Sequence, residues 1–249
     1  LMNYSYVTIS AMEDREEAVR VMHRHALSVL PVVDSAGVLL GIVTVDDVLD
    51  VAEEEITEDF HKAAAVRPLK GGYREAGVWP LYRKRIGWLV ALILINLVSS
   101  TVISVYEEVL ASAMVLTFFI PLLIASGGNA GSQSATLMIR ALATGDVKLG
   151  QWLRVLVKEL LVGLALGTTM GLAGGLLGLF QGGYLIGVVV GLAMVAVVLV
   201  ANIMGVALPF LLLRLGLDPA VASSPLITSI ADAAGLAIYF AIAVWFLGG

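Results

Sequence analysis

The longest uncharged stretch of the chain is Leu160–Leu213, and it constrains the fold more than any other feature. A helix needs about 20 apolar residues to cross a bilayer, so this stretch is long enough for two spans. The letters QGGY at 181–184 favour a turn between them. Two further uncharged stretches, Ile86–Tyr106 and Val109–Ile139, are each long enough for one span. Asp218-Pro219 has the pattern of an N-cap followed by a first helical proline, which predicts a fifth helix running to the C-terminus.

The composition divides the chain into a polar N-terminal third and an apolar remainder. Hydrophobic residues make up 59% of the 249 residues and charged residues 14%, against about a quarter in ordinary soluble domains. Residues 1–87 hold 14 of the 20 acids and 10 of the 15 bases. The net charge of −5 disfavours nucleic acid as a partner, and the absence of cysteine excludes disulfides and thiolate zinc sites. No catalytic motif is present, so we do not expect an enzyme.

The basic residues around the spans predict an orientation. All of them fall in segments that alternate connectivity places on one side of a membrane: Arg83, Lys84, Arg85, Arg140, Lys148, Arg154, Lys158 and Arg214. Positive residues concentrate on the cytoplasmic side. We therefore expect the N-terminus to be cytoplasmic and the C-terminus to lie outside.

The first 50 residues contain one amphipathic helix and two apolar strands. The letters LPVVD…G…LLGIVTVDDVL resemble the second half of a CBS module, which implies a partial α/β domain over residues 1–50. Such modules work in pairs, so a missing module or a second subunit is expected to complete it. The opening residues read as the middle of a domain, and we expect the chain to be a fragment. CBS pairs often bind adenine nucleotides, and Thr44 and Asp47 match the spacing of the ribose-binding pair.

Residues 46–59, DDVLDVAEEEITED, contain eight acids and no base. Carboxylates four residues apart on a helix repel each other by about 0.2–0.5 kcal/mol per pair. One interpretation is a solvated acidic face. The other is a low-affinity site for a hard divalent cation, which prefers oxygen ligands. The predicted connecting segment, residues 51–85, leads from this helix to the first span.

Asp232 is the ionisable residue that we expect deepest inside a span. A helix from Pro219 would place it about 20 Å along the axis, in the middle of the membrane. A charged aspartate there costs about 2.5–3.5 kcal/mol on insertion scales and is usually functional. It either pairs with a hydroxyl or backbone group for packing, or it receives a cation or a proton.

The second span contains the unusual segment SGGNAGSQSAT, residues 126–136. Pro121 and the glycines predict a loosened helix, and irregular backbone within a membrane is tolerated only where it is buried or lines a cavity. The fifth span carries further polar and helix-loosening residues. The competing interpretation is close helix packing by small residues. The loosened interpretation predicts a cation path lined by Gly127, Gly128, Gly131, Gln133, Pro225, Thr228 and Ser229.

The segments PLLIASGGNAGSQSATLMIRALATGDV and SPLITSIADAAG resemble signature segments of the MgtE family of Mg²⁺ channels. The resemblance implies a mainly α fold: a partial CBS module, an acidic plug helix near residues 51–66, and a five-helix pore domain over residues 86–249. It implies a homodimer with the pore on the two-fold axis, in the inner membrane of a bacterium and in contact with its lipid. It also implies pore ligands at Asp232 and Asn129, and Mg²⁺-binding acids at Asp46, Asp47, Asp50, Glu54, Glu55, Glu58 and Asp59.

The expected function is therefore a Mg²⁺ channel that intracellular Mg²⁺ closes through the acidic cytoplasmic region. The main alternative is a secondary transporter in which Asp232 carries a proton or Na⁺, because broken helices near the midplane occur there too. A third possibility is a membrane-anchored regulatory module whose CBS part binds nucleotide.

Overall fold

The computed structural model describes residues 6–69 and 72–247. Its contacts divide the chain into two compact units, Leu1–His61 and Lys62–Gly249, and each is described by itself. The predicted boundaries at residues 50 and 85 stay predictions. The start of the predicted module, 1–5, and two positions of the connecting segment, 70 and 71, lie outside the described residues.

The first unit is a small α/β structure. Its three strands are β1 (Ile9–Ser10), β2 (Val29–Val33) and β3 (Leu39–Thr44), and its helices are α1 (Arg15–His25) and α2 (Val45–Ala63), which runs two residues into the second unit. The sheet order is β1-β2-β3, parallel between the first pair and antiparallel between the second. The α/β architecture expected from the sequence is confirmed, although the short strand β1 was not foreseen.

The core of this unit is small and is formed by side chains from its helices and strands. Ile9, Ala18, Met22, Leu30 and Val48 are buried together. Asp14 begins α1 by accepting a hydrogen bond from the backbone N–H of Glu16, as an N-cap does.

The second unit is built from long apolar helices. They are α3 (Val78–Val105), α4 (Glu107–Ser112), α5 (Ile120–Ala143), α6 (Trp152–Arg214) and α7 (Ser224–Leu247). Within the described residues, four helical segments are long and apolar enough to cross a membrane, and the longest contains all of α6.

Helix α6 is two helices joined by a sharp reversal. Gly183 has a φ of 81° and is the non-helical residue inside it; glycine alone adopts such a conformation without strain. The arms 152–182 and 184–214 pack antiparallel, as their glycine contacts show. A Cβ added at Gly171 would lie 2.8 Å from the Gly191 carbonyl oxygen, and one added at Gly175 would lie 3.1 Å from the Gly187 carbonyl oxygen. Counting the arms separately gives the five apolar segments that the sequence predicts.

Helix bounds differ from the sequence prediction in two places. Helix α3 begins at Val78, eight residues before Ile86, and so includes the basic residues 83–85. The segment predicted as one span from Val109 is divided into α4, a 3₁₀ turn at Met114–Phe119, and α5. Proline at position 121 falls in the first turn of α5, where its missing N–H costs nothing.

The predicted loosening of the fifth span is wrong, and so is its start at Pro219. Asp218 caps a short 3₁₀ turn, Pro219–Val221, by accepting from the Ala220 N–H, and α7 begins only at Ser224. Asp232 therefore lies about 12 Å along α7, at 1.5 Å per residue, and not about 20 Å.

The core of the second unit lies where α5, the second arm of α6 and α7 meet. Its largest fully buried side chains include Tyr239, Phe240, Leu116, Leu123 and Met194. The Tyr239 hydroxyl donates to the Leu116 carbonyl oxygen at 2.9 Å, which satisfies its polar end in an apolar setting.

We predict that Gly205→Ala destabilises the helical unit. The added Cβ would lie 2.4 Å from the Gly131 carbonyl oxygen, and a backbone atom cannot swing aside. Overpacking of this kind costs about 1–3 kcal/mol in the free energy of unfolding. The measurement is the melting temperature in detergent. Gly87→Ala on α3 is the control, since nothing lies within 4 Å of its added Cβ. Equal melting temperatures for the two variants would contradict this packing.

Candidate functional site: a polar groove beside a lone carboxyl

Helices α5 and α7 present polar side chains to a common groove of about 480 Å³. On α5 the polar positions recur at spacings of three and four, so they share one helical face. On α7, Ser224 and Thr228 do the same. The groove is lined by Asn129, Ser132, Gln133, Thr136, Leu137, Ser224 and Thr228.

Hydrogen bonds tie the two helices together at the groove. The hydroxyl oxygens of Ser132 and Thr228 lie 3.1 Å apart, and the Ser132 hydroxyl also donates to the Ser224 carbonyl oxygen at 3.3 Å. Asn129 and Gln133 are exposed, so their amides are accessible to a ligand in the groove. The groove therefore offers hydroxyl and amide oxygens, the acceptors that a hydrated cation requires.

Asp232 follows Thr228 by four residues, about 6 Å further along the same side of α7. It is half-buried, and it is not one of the groove-lining residues. Its Oδ1 atom is buried with no hydrogen-bond partner among the described residues. Buried polar atoms are nearly always paired, so this carboxyl oxygen is a free acceptor for a water, a cation or a second chain.

The predicted loosening of α5 at Gly127–Gly131 is wrong, because α5 is helical throughout Ile120–Ala143. The glycines are buried and permit close helix approach. An added Cβ would lie 2.7 Å from Val197 Cγ1 at Gly127, and 3.0 Å from the Ala201 carbonyl oxygen at Gly131. The small-residue interpretation accounts for them. The carbonyl groups that these glycines were predicted to offer to a pore are instead hydrogen-bonded within α5.

The remaining predicted pore residues are divided between surfaces. Gly128 packs against Thr228, with 2.8 Å from an added Cβ to Thr228 Cγ2. Pro225 lies half-buried in the first turn of α7, and Ser229 is buried, one residue round the helix from Thr228. Of the predicted set, the structure brings Gln133 and Thr228 to the groove.

The eight acids of residues 46–59 all lie on α2. Within residues 6–69 and 72–247 no group of three or more acidic or histidine side chains is placed to hold a metal ion. Thr44 and Asp47 bond each other at the start of α2, with 2.8 Å from Thr44 Oγ1 to Asp47 Oδ2. This is a helix-capping contact that explains their spacing without a nucleotide.

Arg15 on α1 is the counter-charge that sequence reasoning missed. Its guanidinium lies 2.7 Å from both Glu54 Oε2 and Glu55 Oε1. Hydrogen bonds with Glu54 and Glu55 raise the pKa of Arg15. Burial raises the pKa of Glu16, and the neighbouring Glu55 carboxylate adds to the shift. The carboxylates of this face therefore still repel one another although Arg15 pairs with two of them. Asp46, Asp50, Glu58 and Asp59 lie on the same helix.

Glu159 is a half-buried carboxylate of the helical unit that the sequence prediction did not single out. It lies on the first arm of α6, and its Oε1 accepts from Ser134 Oγ at 2.7 Å and from Asn202 Nδ2 at 3.2 Å. The signal in the sequence was Asn202, an isolated amide within the 54-residue uncharged stretch Leu160–Leu213.

Two other grooves of this unit are lined by apolar side chains almost throughout. One contains Trp152, Met204 and Phe210, with Arg214 among its lining residues, and the other follows the glycine contacts between the α6 arms. Neither has a side-chain amide among its lining residues, whereas the α5–α7 groove has two and is mostly polar, so the α5–α7 groove is the candidate for an ion site.

Comparison with known proteins identifies the family. A family model described as MgtE, divalent cation transporter, matches residues 120–242, and a CBS domain model matches residues 1–54. The magnesium transporter MgtE of Thermus thermophilus is 48% identical over 243 residues, which is 98% of this chain and 54% of that protein. The chain belongs to the MgtE family.

Two more distant MgtE relatives give the same picture. The magnesium transporters MgtE of Enterococcus faecalis and Bacillus subtilis are 35% and 33% identical over 250 and 248 residues, 99% of this chain in each case. The chain spans 54% of the length of each curated relative. The family match and the apolar helices together fit an integral membrane protein.

We predict that Arg15→Gln makes the first unit more responsive to Mg²⁺. Without the guanidinium, Glu54 and Glu55 repel their neighbours until a cation binds them. Millimolar Mg²⁺ is expected to raise the unit's melting temperature further in the variant than in wild type. Arg20→Gln is the matched control, because Arg20 pairs with Glu16 and Glu17 on its own helix. An equal Mg²⁺-dependent shift in all three proteins would contradict the prediction.

Proposed function

We propose that two copies of this chain form a channel that conducts Mg²⁺ along the α5–α7 polar groove. The observation that carries the proposal is the Asp232 carboxyl, four residues after the groove-lining Thr228, whose Oδ1 is buried with no hydrogen-bond partner in the part of the chain that the structure describes. The named function of the curated relatives, magnesium transport, supports Mg²⁺ as the ion carried.

The chemistry of Mg²⁺ suits a sparse site. Mg²⁺ dehydrates reluctantly and keeps several waters while it binds one or two carboxylates. A two-fold axis would bring Asp232 from each chain to one path, giving two carboxylates, because a cyclic dimer repeats the same surface on both subunits. Asn129, Gln133 and the groove hydroxyls would accept hydrogen bonds from the ion's water shell. Ca²⁺ takes six to eight direct oxygen ligands, more than this set offers.

The groove-lining amides of Asn129 and Gln133 are exposed in the single chain, and this supports assembly of two copies. A polar groove exposed to hydrocarbon would leave hydroxyls and amides without partners, which is costly in a membrane. A second copy and the water between the two would satisfy them.

The proposed orientation has the base-rich helix ends in the cytoplasm of a bacterial cell, at the inner membrane. The start of α3, the end of α5 and both ends of α6 carry the basic residues. Gly183 and the acidic pair Glu107–Glu108 belong to the opposite ends. This pattern agrees with concentration of positive residues on the cytoplasmic side.

The acidic face of α2 is the proposed sensor of intracellular Mg²⁺. Exposed carboxylates repel each other by about 1 kcal/mol per pair at 4 Å in water. Bound Mg²⁺ would cancel this repulsion and favour the closed arrangement. Lys62, at the end of α2, pairs with Asp218 at 2.6 Å, just before α7. That ion pair offers a route by which movement of the α2 end reaches the pore helix.

We predict that Asp232→Asn lowers Mg²⁺ uptake into proteoliposomes at least about tenfold, equivalent to ~1.4 kcal/mol. The substitution keeps the shape of the side chain and removes the charge that attracts the ion. Asp146→Asn, in the exposed loop after α5, is the control and is expected to match wild type. Wild-type Mg²⁺ uptake by Asp232→Asn would contradict the proposed ion path. A flux that requires a proton or Na⁺ gradient would instead favour the coupled transporter.

We predict that the triple variant Asp50→Asn, Glu54→Gln, Glu58→Gln needs about tenfold more cytoplasmic Mg²⁺ for half-closure. Exposed charge interactions are worth about 0.2–1 kcal/mol each, so removing three charges weakens the site that favours closure by about 1.4 kcal/mol in total, which is about tenfold. The measurement is patch recording from inside-out membranes over a Mg²⁺ series. Glu107→Gln, Glu108→Gln is the matched control on the opposite helix ends. An unchanged inhibition curve would argue against the sensor.

A further inference from the structure

Glu159 joins three helical segments through one carboxylate. It lies on the first arm of α6 and accepts hydrogen bonds from Ser134 on α5 and from Asn202 on the second arm of α6. Ser134 is 3% exposed and Asn202 is 1% exposed, so both donors are inside the packed structure. The Ser134 hydroxyl also lies 3.3 Å from the Asn202 carbonyl oxygen.

The carboxylate determines how the Asn202 amide is placed. Asn202 Nδ2 bonds Glu159, while Asn202 Oδ1 is buried and has no partner among the described residues. A buried amide that leaves one end unpaired is held by the bond at the other end. Hydrogen bonds to a charged acceptor are roughly twice as strong as neutral ones, which makes Glu159 the dominant partner of this cluster.

The backbones of α5 and α6 are unusually close at this level. An added Cβ at Gly205 on α6 would lie 2.9 Å from Ser134 Cβ and 3.0 Å from the Ala135 backbone nitrogen on α5. This close packing prevents α5 from sliding along α6. Because the contacting residues are small, however, it resists rotation of α5 about its own axis only weakly. A directional hydrogen bond supplies the rotational restraint that packing lacks.

Rotation of α5 matters because Ser134 directly follows Gln133, which lines the polar groove. A side-chain tip at a radius of about 5 Å moves by about 2 Å when its helix turns by about 20°. Hydrogen bonds tolerate only about 0.5 Å of variation in length. A small rotation would therefore remove Gln133 and Asn129 from contact with the water shell of an ion.

We propose that Glu159 is a positioning residue for ion passage: it fixes the rotation of α5 and so aims the Asn129 and Gln133 amides into the groove. The inference rests on the proposed function, because it assigns Glu159 a role in a path along α5 and α7. Glu159 itself contacts neither the groove-lining amides nor Asp232 in the described hydrogen bonds.

The test compares Mg²⁺ and Ca²⁺ flux in proteoliposomes made with the full chain. Glu159→Ala is expected to lower Mg²⁺ flux per folded protein about tenfold and to change the Mg²⁺/Ca²⁺ flux ratio at least about threefold. Glu159→Gln keeps an acceptor oxygen of the same reach, and it is expected to restore both to within about threefold of wild type. A purely structural role would lower the yield of folded protein and leave the ratio per folded protein unchanged.

Matched controls separate this role from general loss of a charge or a hydroxyl. Glu108→Gln removes an exposed carboxylate, and Thr169→Val removes a hydroxyl that bonds its own helix at Ala165. Both are expected to show the wild-type ratio. If Glu159→Ala does not fold, Ser134→Ala carries the test with the same expected change in ratio. A wild-type ratio in the folded variant overturns the proposal.

Asp232→Asn distinguishes this proposal from the one on which it rests. Loss of flux in Asp232→Asn with a wild-type ratio in Glu159→Ala overturns only the positioning role. Normal flux in Asp232→Asn overturns the path and the positioning role together. Loss in Asp232→Asn with a changed ratio in Glu159→Ala supports both.

Discussion

Close backbone approach between α5 and the second arm of α6 is the constraint on which the rest of the helical unit depends. An added Cβ at Gly205 would lie 2.4 Å from the Gly131 carbonyl oxygen, so no side chain fits where these two glycines meet. Within hydrocarbon there is no hydrophobic force between helices, and small residues let dispersion contacts replace it. Since the back of α5 is filled by these contacts, its two amide side chains, Asn129 and Gln133, are left on the front, facing the groove shared with α7.

A continuous α5 changes how an ion can be received. An unwound segment would offer free backbone carbonyls, whereas a complete helix has its carbonyls bonded to its own N–H groups. The acceptors at the groove are therefore side chains: the amides of Asn129 and Gln133 and the hydroxyls of Ser132 and Thr228. Side-chain amides and hydroxyls suit a hydrated ion, because they can reorient to meet its waters, and this makes the rotation of α5 a property worth fixing.

The sequence was sufficient for features set by local chemistry and insufficient for those set by pairing across the chain. Uncharged stretches located the spans, and the glycines of QGGY located the reversal at Gly183. The same composition of residues 126–136 fits both a broken and a closely packed helix; only the neighbours of Gly127 and Gly131, on α6 and α7, decide between them. Likewise nothing local indicates that Ser134 meets Asn202, 68 positions away, or that Arg15 meets Glu54.

The two proposed ion sites differ in number of carboxylates because they differ in surroundings. Asp232 is half-buried among apolar helices, where a charge interacts with an ion several times more strongly than in water. One carboxylate per chain can then attract Mg²⁺ without binding it too tightly to leave. The acids of α2 face water, which weakens each interaction to about 1 kcal/mol, and Arg15 already offsets two of them. A sensor built there needs many carboxylates to respond at all, and its affinity stays low, as regulation by a millimolar cytoplasmic ion requires.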